Sequence, residues 1–130
     1  MSTGQKSKPR LIVNSENKPY WEGAARGQLL IKKCNDCGKV HYYPRSICPH
    51  CFADNTAFVE ASGDGVIYSY SVTRQAKPPY VIAYVTIDEG VSMLTNIVDC
   101  DVEKVHIGQR VKVSFVEAEE GYALPVFTPA

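Results

Sequence analysis

Residues 34–51 read CNDCGKVHYYPRSICPHC. Cys34, Cys37, Cys48 and Cys51 form two CxxC pairs separated by ten residues. Two such knuckles can place four sulfurs tetrahedrally about one ion, at roughly 2.3 Å per Zn–S bond. Gly38 follows the first pair directly. A glycine there lets the knuckle turn and aim backbone amides at the thiolates. Phe52 stands at the same place after the second pair, so that signal is missing there. The segment is too short to bury a core of its own, so metal would supply its folding energy. The stretch therefore predicts a small ribbon clipped to a larger body.

Paired cysteines also occur in redox proteins and in iron sites. No βαβ pattern of a thioredoxin type surrounds these pairs, which weighs against redox chemistry. Four thiolates suit iron as well as zinc, and the spacing alone leaves that choice open, with zinc favoured. The start of the chain is polar and lysine-bearing, with no apolar segment of the signal-peptide kind. No apolar run approaches the roughly 20 residues needed to span a bilayer. A reducing, cytoplasmic setting is expected, where paired cysteines hold metals rather than disulfides. His50 lies inside the second knuckle and is expected to face solvent.

Outward from the ribbon, the chain divides into a flexible lead-in over 1–17, a helix and ribbon over 18–60, and a β-domain over 61–130. Asn17 or Lys18 can cap a helix with Pro19 in its first turn, running over 20–26 and stopping at Gly27. Residues 29–33 form a short strand entering the first cysteine pair. Beyond Gly63 the pattern turns to β. Residues 65–74 alternate, with Val66, Tyr68, Tyr70 and Val72 on one face. Pro78 and Pro79 break the pattern with a turn. Strands follow over 80–88, 91–98, 110–116 and 122–127, the first of them apolar on both faces. Val111, Val113 and Phe115 point inward, residues 99–105 make one helical turn, and Pro125 marks the last strand as an edge. Five strands with a helical turn between the third and fourth follow the plan of an OB-fold barrel. A β-sandwich would need about seven strands. The fold class is mainly β: an N-terminal helix and zinc ribbon, then a five-stranded OB-fold barrel.

An apolar fraction of 45% permits a real core. The 14 basic and 14 acidic residues cancel, a poor balance for coating nucleic acid or an acidic membrane. Locally the balance differs. Between positions 26 and 51 stand Arg26, Lys32, Lys33, Lys39 and Arg45, against Asp36 alone. A Zn²⁺ with four thiolates adds two negative charges, leaving about two positive. Either the lysines merely offset the cage, or they make a modest anion site beside Trp21 and Tyr42.

The stretches PYWEGAARGQLLIKKCNDCGKVHYYPRSICPHC (19–51), GVIYSYSVTRQ (65–75), PYVIAYVTIDEGVSMLTNIVDCDVEKVHIGQRVKV (79–113) and ALPVF (123–127) carry a resemblance. In order and spacing the chain resembles the small acyl-CoA-associated OB-fold proteins with an N-terminal rubredoxin-like zinc ribbon, long described as a domain of unknown function. The resemblance implies an accessory subunit, not a stand-alone enzyme. The partner would be a thiolase-like, hydroxymethylglutaryl-CoA-synthase-like or hydratase enzyme, and a coenzyme A thioester a possible ligand. It implies that Cys34, Cys37, Cys48 and Cys51 hold one structural zinc. Trp21, Tyr42 and Arg45, with Lys32 and Lys33 of the basic strip, become candidates for a ligand or partner surface. The loop over 75–79 is shorter here than in many relatives.

Two other function classes were weighed on the residues. OB folds bind single strands through the second and third strands and the loops between strands one–two and four–five. Here the first loop offers Lys77, and the second offers Glu117, Glu119 and Glu120. Those carboxylates would repel phosphate. For an enzyme, Cys100 and His106 are the only nucleophile–base combination in reach, and the carboxylates of Asp99 and Asp101 would raise the thiol pKa. A free cysteine is more often a buried apolar residue. Tyr68, Tyr70, Tyr80 and Tyr84 are expected to fill the barrel and pack its faces, and Tyr20 and Trp21 to pack the helix. Apolar residues left over once the barrel is filled would dock on a partner.

Overall fold

The computed structural model describes residues 11–130. The first ten residues of the expected lead-in lie outside that range. Its remainder is tied down: Asn14 and Asn17 exchange backbone and side-chain hydrogen bonds, and the buried Asn17 amide donates to the Ile12 carbonyl at 3.0 Å. Helix α1, Lys18–Ala25, starts there with Pro19 in its first turn. Proline costs nothing at this place because the first helical amides have no intrahelical acceptor. Gly27, at φ +80°, turns the chain out of the helix.

The ribbon is an antiparallel sheet of β1 (Leu30–Cys34), β2 (Val40–His41) and β3 (Thr56–Glu60), with β1 in the centre. Of these three strands, residue order marks β1 alone. β2 is only two residues long, and β3 is a polar–apolar segment that pairs with all of β1, from Leu30↔Glu60 to Cys34↔Thr56. Five further strands close a barrel: β4 (Asp64–Thr73), β5 (Tyr80–Ile87), β6 (Ser92–Ile97), β7 (Arg110–Glu117) and β8 (Ala123–Pro129), in the order β4-β5-β6-β8-β7. This is the expected OB fold. Gly65 sits where a Cβ would lie 2.7 Å from the Thr86 carbonyl oxygen, so only glycine permits this approach of β4 to β5.

Ribbon and barrel share one apolar core. Tyr20 and Trp21 of α1, with Leu29 and Ile31 of the ribbon, pack in a cluster with Ile67, Val85, Val111 and Phe127 of the barrel. The helix is the wedge: it touches β1 on one side and β7 and β8 on the other.

Three expectations are corrected. Residues 99–105 form no helical turn; the chain makes a reverse turn, with the Lys104 amide bonded to the Asp101 carbonyl at 2.9 Å. Pro125 does not lie on an edge strand, because β8 pairs antiparallel with β7 and parallel with β6. The β6 ladder is a single pair, Ile97↔Phe127. Two residues before Phe127 along the strand, Pro125 directs its missing N–H into this open seam, and Thr95 Oγ1 reaches the Pro125 carbonyl at 3.4 Å. The third correction concerns the tyrosines. A bulge between Ile67 and Ser69 places the extra residue, Tyr68, in solvent and reverses the alternation beyond it. Tyr68, Tyr80 and Tyr84 are 68%, 45% and 48% exposed, and Tyr70 is exposed near the barrel end. The barrel is filled instead by Ile67, Val81, Val85, Ile87, Met93 and Phe127.

Candidate metal centre and its surroundings

The four cysteines come together from two turns of like geometry. The Gly38 amide bonds to the Cys34 carbonyl and the Phe52 amide to the Cys48 carbonyl, each at 2.9 Å. Gly38 at φ +76° and Phe52 at φ +65° hold the same left-handed turn. Phe52 therefore does the work of the missing glycine, at a steric cost of about 1–2 kcal/mol. Amide N–H groups point at the sulfurs, Cys37 to Cys34 Sγ at 3.5 Å and His50 to Cys48 Sγ at 3.3 Å.

All four Sγ atoms lie within 4.8 Å of one another. Cys34–Cys51 and Cys37–Cys48 are 3.6 and 3.7 Å apart. A tetrahedral ion with bonds of roughly 2.3 Å would set sulfurs about 3.8 Å apart, so the cage fits zinc. Burial alone would raise the Cys48 thiol, but the amides of Cys51 and His50 and the neighbouring thiols pull it down to about 6. The Cys51 thiol also receives an amide, from Ala53, yet burial and the other three sulfurs push it up to about 12. An ion bound here would take the sulfurs as thiolates and release their protons. Cys34 and Cys48 are buried and Cys37 and Cys51 exposed. Four thiolates complete the coordination shell and leave no open position for a substrate, which is the pattern of a structural site. His50 is exposed, as expected.

The five residues proposed as a ligand or partner surface separate into two groups. Trp21 is 6% exposed, with its Nε1 unpartnered. Tyr42 turns inward to the Tyr20 hydroxyl. Lys32, 8% exposed, lays its ammonium 4.3 Å from the Phe58 ring centre and donates to Thr56 Oγ1 at 3.3 Å. Burial lowers its pKa. Lys33 and Arg45 alone face solvent, Arg45 over the Tyr43 ring at 5.5 Å. Glu16 lies beside this group and accepts the Ser46 amide at 2.6 Å. Its acceptor role was not legible in the sequence, since nothing local links positions 16 and 46.

Cys100 is half-buried, bonded to the Ile97 carbonyl at 3.6 Å, and burial together with Asp101 and Asp99 raises its pKa. The His106 ring is turned to the Lys104 carbonyl at 3.1 Å. His41 is buried, its Nε2 accepting the Arg45 amide at 3.4 Å, and burial lowers its pKa against the effect of that bond. These are not the arrangements of a nucleophile and its base. No helix among the described residues is long and apolar enough to cross a membrane.

A ribbon with a four-sulfur cage, fused through one core to a closed five-stranded barrel, defines the class of zinc-ribbon OB-fold proteins. The family model described as the ChsH2 rubredoxin-like zinc ribbon domain matches residues 21–57, and that described as the ChsH2 C-terminal OB-fold domain matches residues 58–116. The chain belongs to this ChsH2, or DUF35, family. It is 37% identical over 136 residues to a probable enoyl-CoA hydratase alpha subunit of Thermomonospora curvata, covering 98% of this chain and 43% of that one. The chain thus spans less than half of that relative. It is 38% identical over 100 residues to a DUF35 domain-containing scaffold protein of Methanocaldococcus jannaschii, covering 71% of this chain and 70% of that one. A solved structure described as an "Ltp2-ChsH2(DUF35) aldolase" superposes with a TM-score of 0.82 at 35% identity, over 92% of this chain and 98% of that one.

Proposed function

We propose that this chain is a non-catalytic accessory subunit of acyl-CoA metabolism in the cytoplasm. It scaffolds a thiolase-like, hydroxymethylglutaryl-CoA-synthase-like or hydratase-type enzyme and helps it bind the coenzyme A thioester. The observation that carries this reading is the likeness to a solved ChsH2 chain of nearly the same length, described together with Ltp2 as an aldolase. Three features support it. The sulfur cage is closed to substrates. Cys100 and His106 are bonded to separate carbonyls. Relatives carry the names scaffold protein and hydratase alpha subunit. With zinc bound, the ion contributes fold rather than chemistry. Cys34, Cys37, Cys48 and Cys51 hold it, and the ribbon then fixes α1 against the barrel.

The test is affinity purification of the tagged chain from its native cells, with mass spectrometry of what accompanies it. A thiolase-fold or hydratase-type acyl-CoA enzyme at fixed stoichiometry is expected. Recovery of the chain alone, or turnover of an acyl-CoA by the purified chain, would overturn the reading.

A further inference from the structure

The outer face of β4, β5 and β6 has a composition that water does not explain. Strand β5 alternates strictly, with Val81, Ala83, Val85 and Ile87 buried and Tyr80, Ile82, Tyr84 and Thr86 outward. In an antiparallel sheet with one solvated face, the outward rank is ordinarily polar and charged. Here it is neither. In one cross-strand row Ser69, Tyr84 and Leu94 stand side by side; in the next, Ser71, Ile82 and Asn96. Leu94 is 56% exposed and Ile82 37%. Between these rows opens a cleft of about 180 Å³, lined by Ser69, Ser71, Ile82, Tyr84 and Leu94.

Charge is confined to the neighbouring strand and the rims. Arg110 and Lys112 are exposed on β7. Two of the rim cations have partners in the same chain: Arg74 meets Glu103 at 2.5 Å, and Arg110 meets Asp88 at 3.5 Å, while Lys77 stands exposed in the loop after β4. A phosphate-bearing ligand would find no cation among the outward residues of this face. What complements it is an uncharged apolar surface, with a large side chain to fill the cleft.

We infer that this face is the dock for the enzyme subunit proposed above, seated by an apolar or aromatic side chain of that subunit in the Ile82–Tyr84–Leu94 cleft. The inference rests on the proposed accessory role and adds to it the surface that does the binding. Charge complementarity selects the occupant: a neutral, flat, aromatic face suits a protein surface and offers nothing to a polyanion. The solved ChsH2 neighbour supports the same occupant, since a chain of like length and fold is described there together with a second protein. The ribbon stays on the other side of this arrangement, because α1, which touches the ribbon at β1, packs on β7 and β8.

Hydroxyl-radical footprinting of the natively purified complex, compared with the isolated chain, tests the assignment. Labelling of Tyr80, Tyr84 and Leu94 should fall on complex formation, while Phe52 and Ile107, exposed elsewhere, keep theirs. Tyr84→Lys and Leu94→Lys should each weaken association by about thirtyfold. Both side chains are exposed, so zinc content and melting temperature should not move; Lys112→Glu on β7 should leave binding unchanged. If an acyl-CoA enzyme is recovered but the face stays labelled and both variants bind like wild type, the inference is overturned and the accessory role stands. If no such enzyme is recovered, the role itself fails, and the inference with it. Protection that grows with the concentration of the isolated chain would assign the face to a second copy. Protection by a single-stranded oligonucleotide would assign it to base stacking. Either result overturns the inference.

Discussion

The Tyr20 hydroxyl lies 3.1 Å from the Tyr42 hydroxyl, joining α1 to the residue that follows β2. The Tyr20 ring also packs edge-on against Trp21 at 4.7 Å and against Tyr42 at 5.7 Å. Burial raises the pKa of both hydroxyls, so the contact is a neutral hydrogen bond at any working pH. Tyr20→Phe should cost about 1 kcal/mol, the worth of one hydrogen bond. Tyr20→Ala should cost about 4 kcal/mol, because it opens a cavity where helix, ribbon and barrel meet. Urea unfolding of the two variants separates these values.

The cage makes a metal prediction. The purified chain should carry one zinc, with no visible absorption band of the kind iron–thiolate sites show. Cys34→Ser or Cys48→Ser should abolish zinc binding and unfold the ribbon, since each removes a buried ligand. The barrel should survive with a lowered melting temperature, because Leu29 and Ile31 of the ribbon belong to its core. Metal analysis and circular dichroism of the variants report both effects.

At the second knuckle the strain can be relieved. Phe52 is 79% exposed and held at φ +65°. Glycine removes a steric cost of about 1–2 kcal/mol and loses part of that to greater freedom of the unfolded chain. Phe52→Gly should therefore stabilise the zinc-bound protein by about 0.5–1 kcal/mol, measured by thermal unfolding. A destabilised variant would show that the Phe52 ring has packing that its exposure does not reveal.

Acid should loosen the segment before α1. The Ser46 amide holds the Glu16 carboxyl below its usual 4.5 against the opposing effect of burial, with lesser help from the Arg45 and Lys32 charges. A carboxyl depressed in the folded state contributes stability above its unfolded pKa and loses it as pH falls through the lower folded value. The Ser46 amide resonance should therefore shift in acid, below pH 4.5, in wild type. In Glu16→Gln it should show no such titration.

Much of this was legible from residue order. The CxxC pairs located the ribbon because metal geometry leaves little choice of spacing. Strands β5 to β8 were legible from alternation and turn residues. β3 was not, because polar Thr56 and Glu60 bound its short apolar run and its pairing with β1 spans a long separation. The tyrosines were misassigned for a different reason. A one-residue bulge after Ile67 reverses the sides of a strand, and no local signal marks it. Strand β5, apolar on both ranks, did carry a sign of its outward tyrosine and isoleucine. Tertiary packing, invisible in residue type, puts Trp21 in the core and lays Lys32 against Phe58.

The central claim is that this chain supports another enzyme's chemistry and performs none alone. Turnover of an acyl-CoA by the purified chain, by its co-purified enzyme subunit, and by the two recombined tests it most directly. The account predicts no turnover by the chain alone, reduced turnover or weakened substrate binding by the enzyme subunit alone, and recovery on recombination. Equal activity of the enzyme subunit with and without the chain, or turnover by the chain alone, would contradict it.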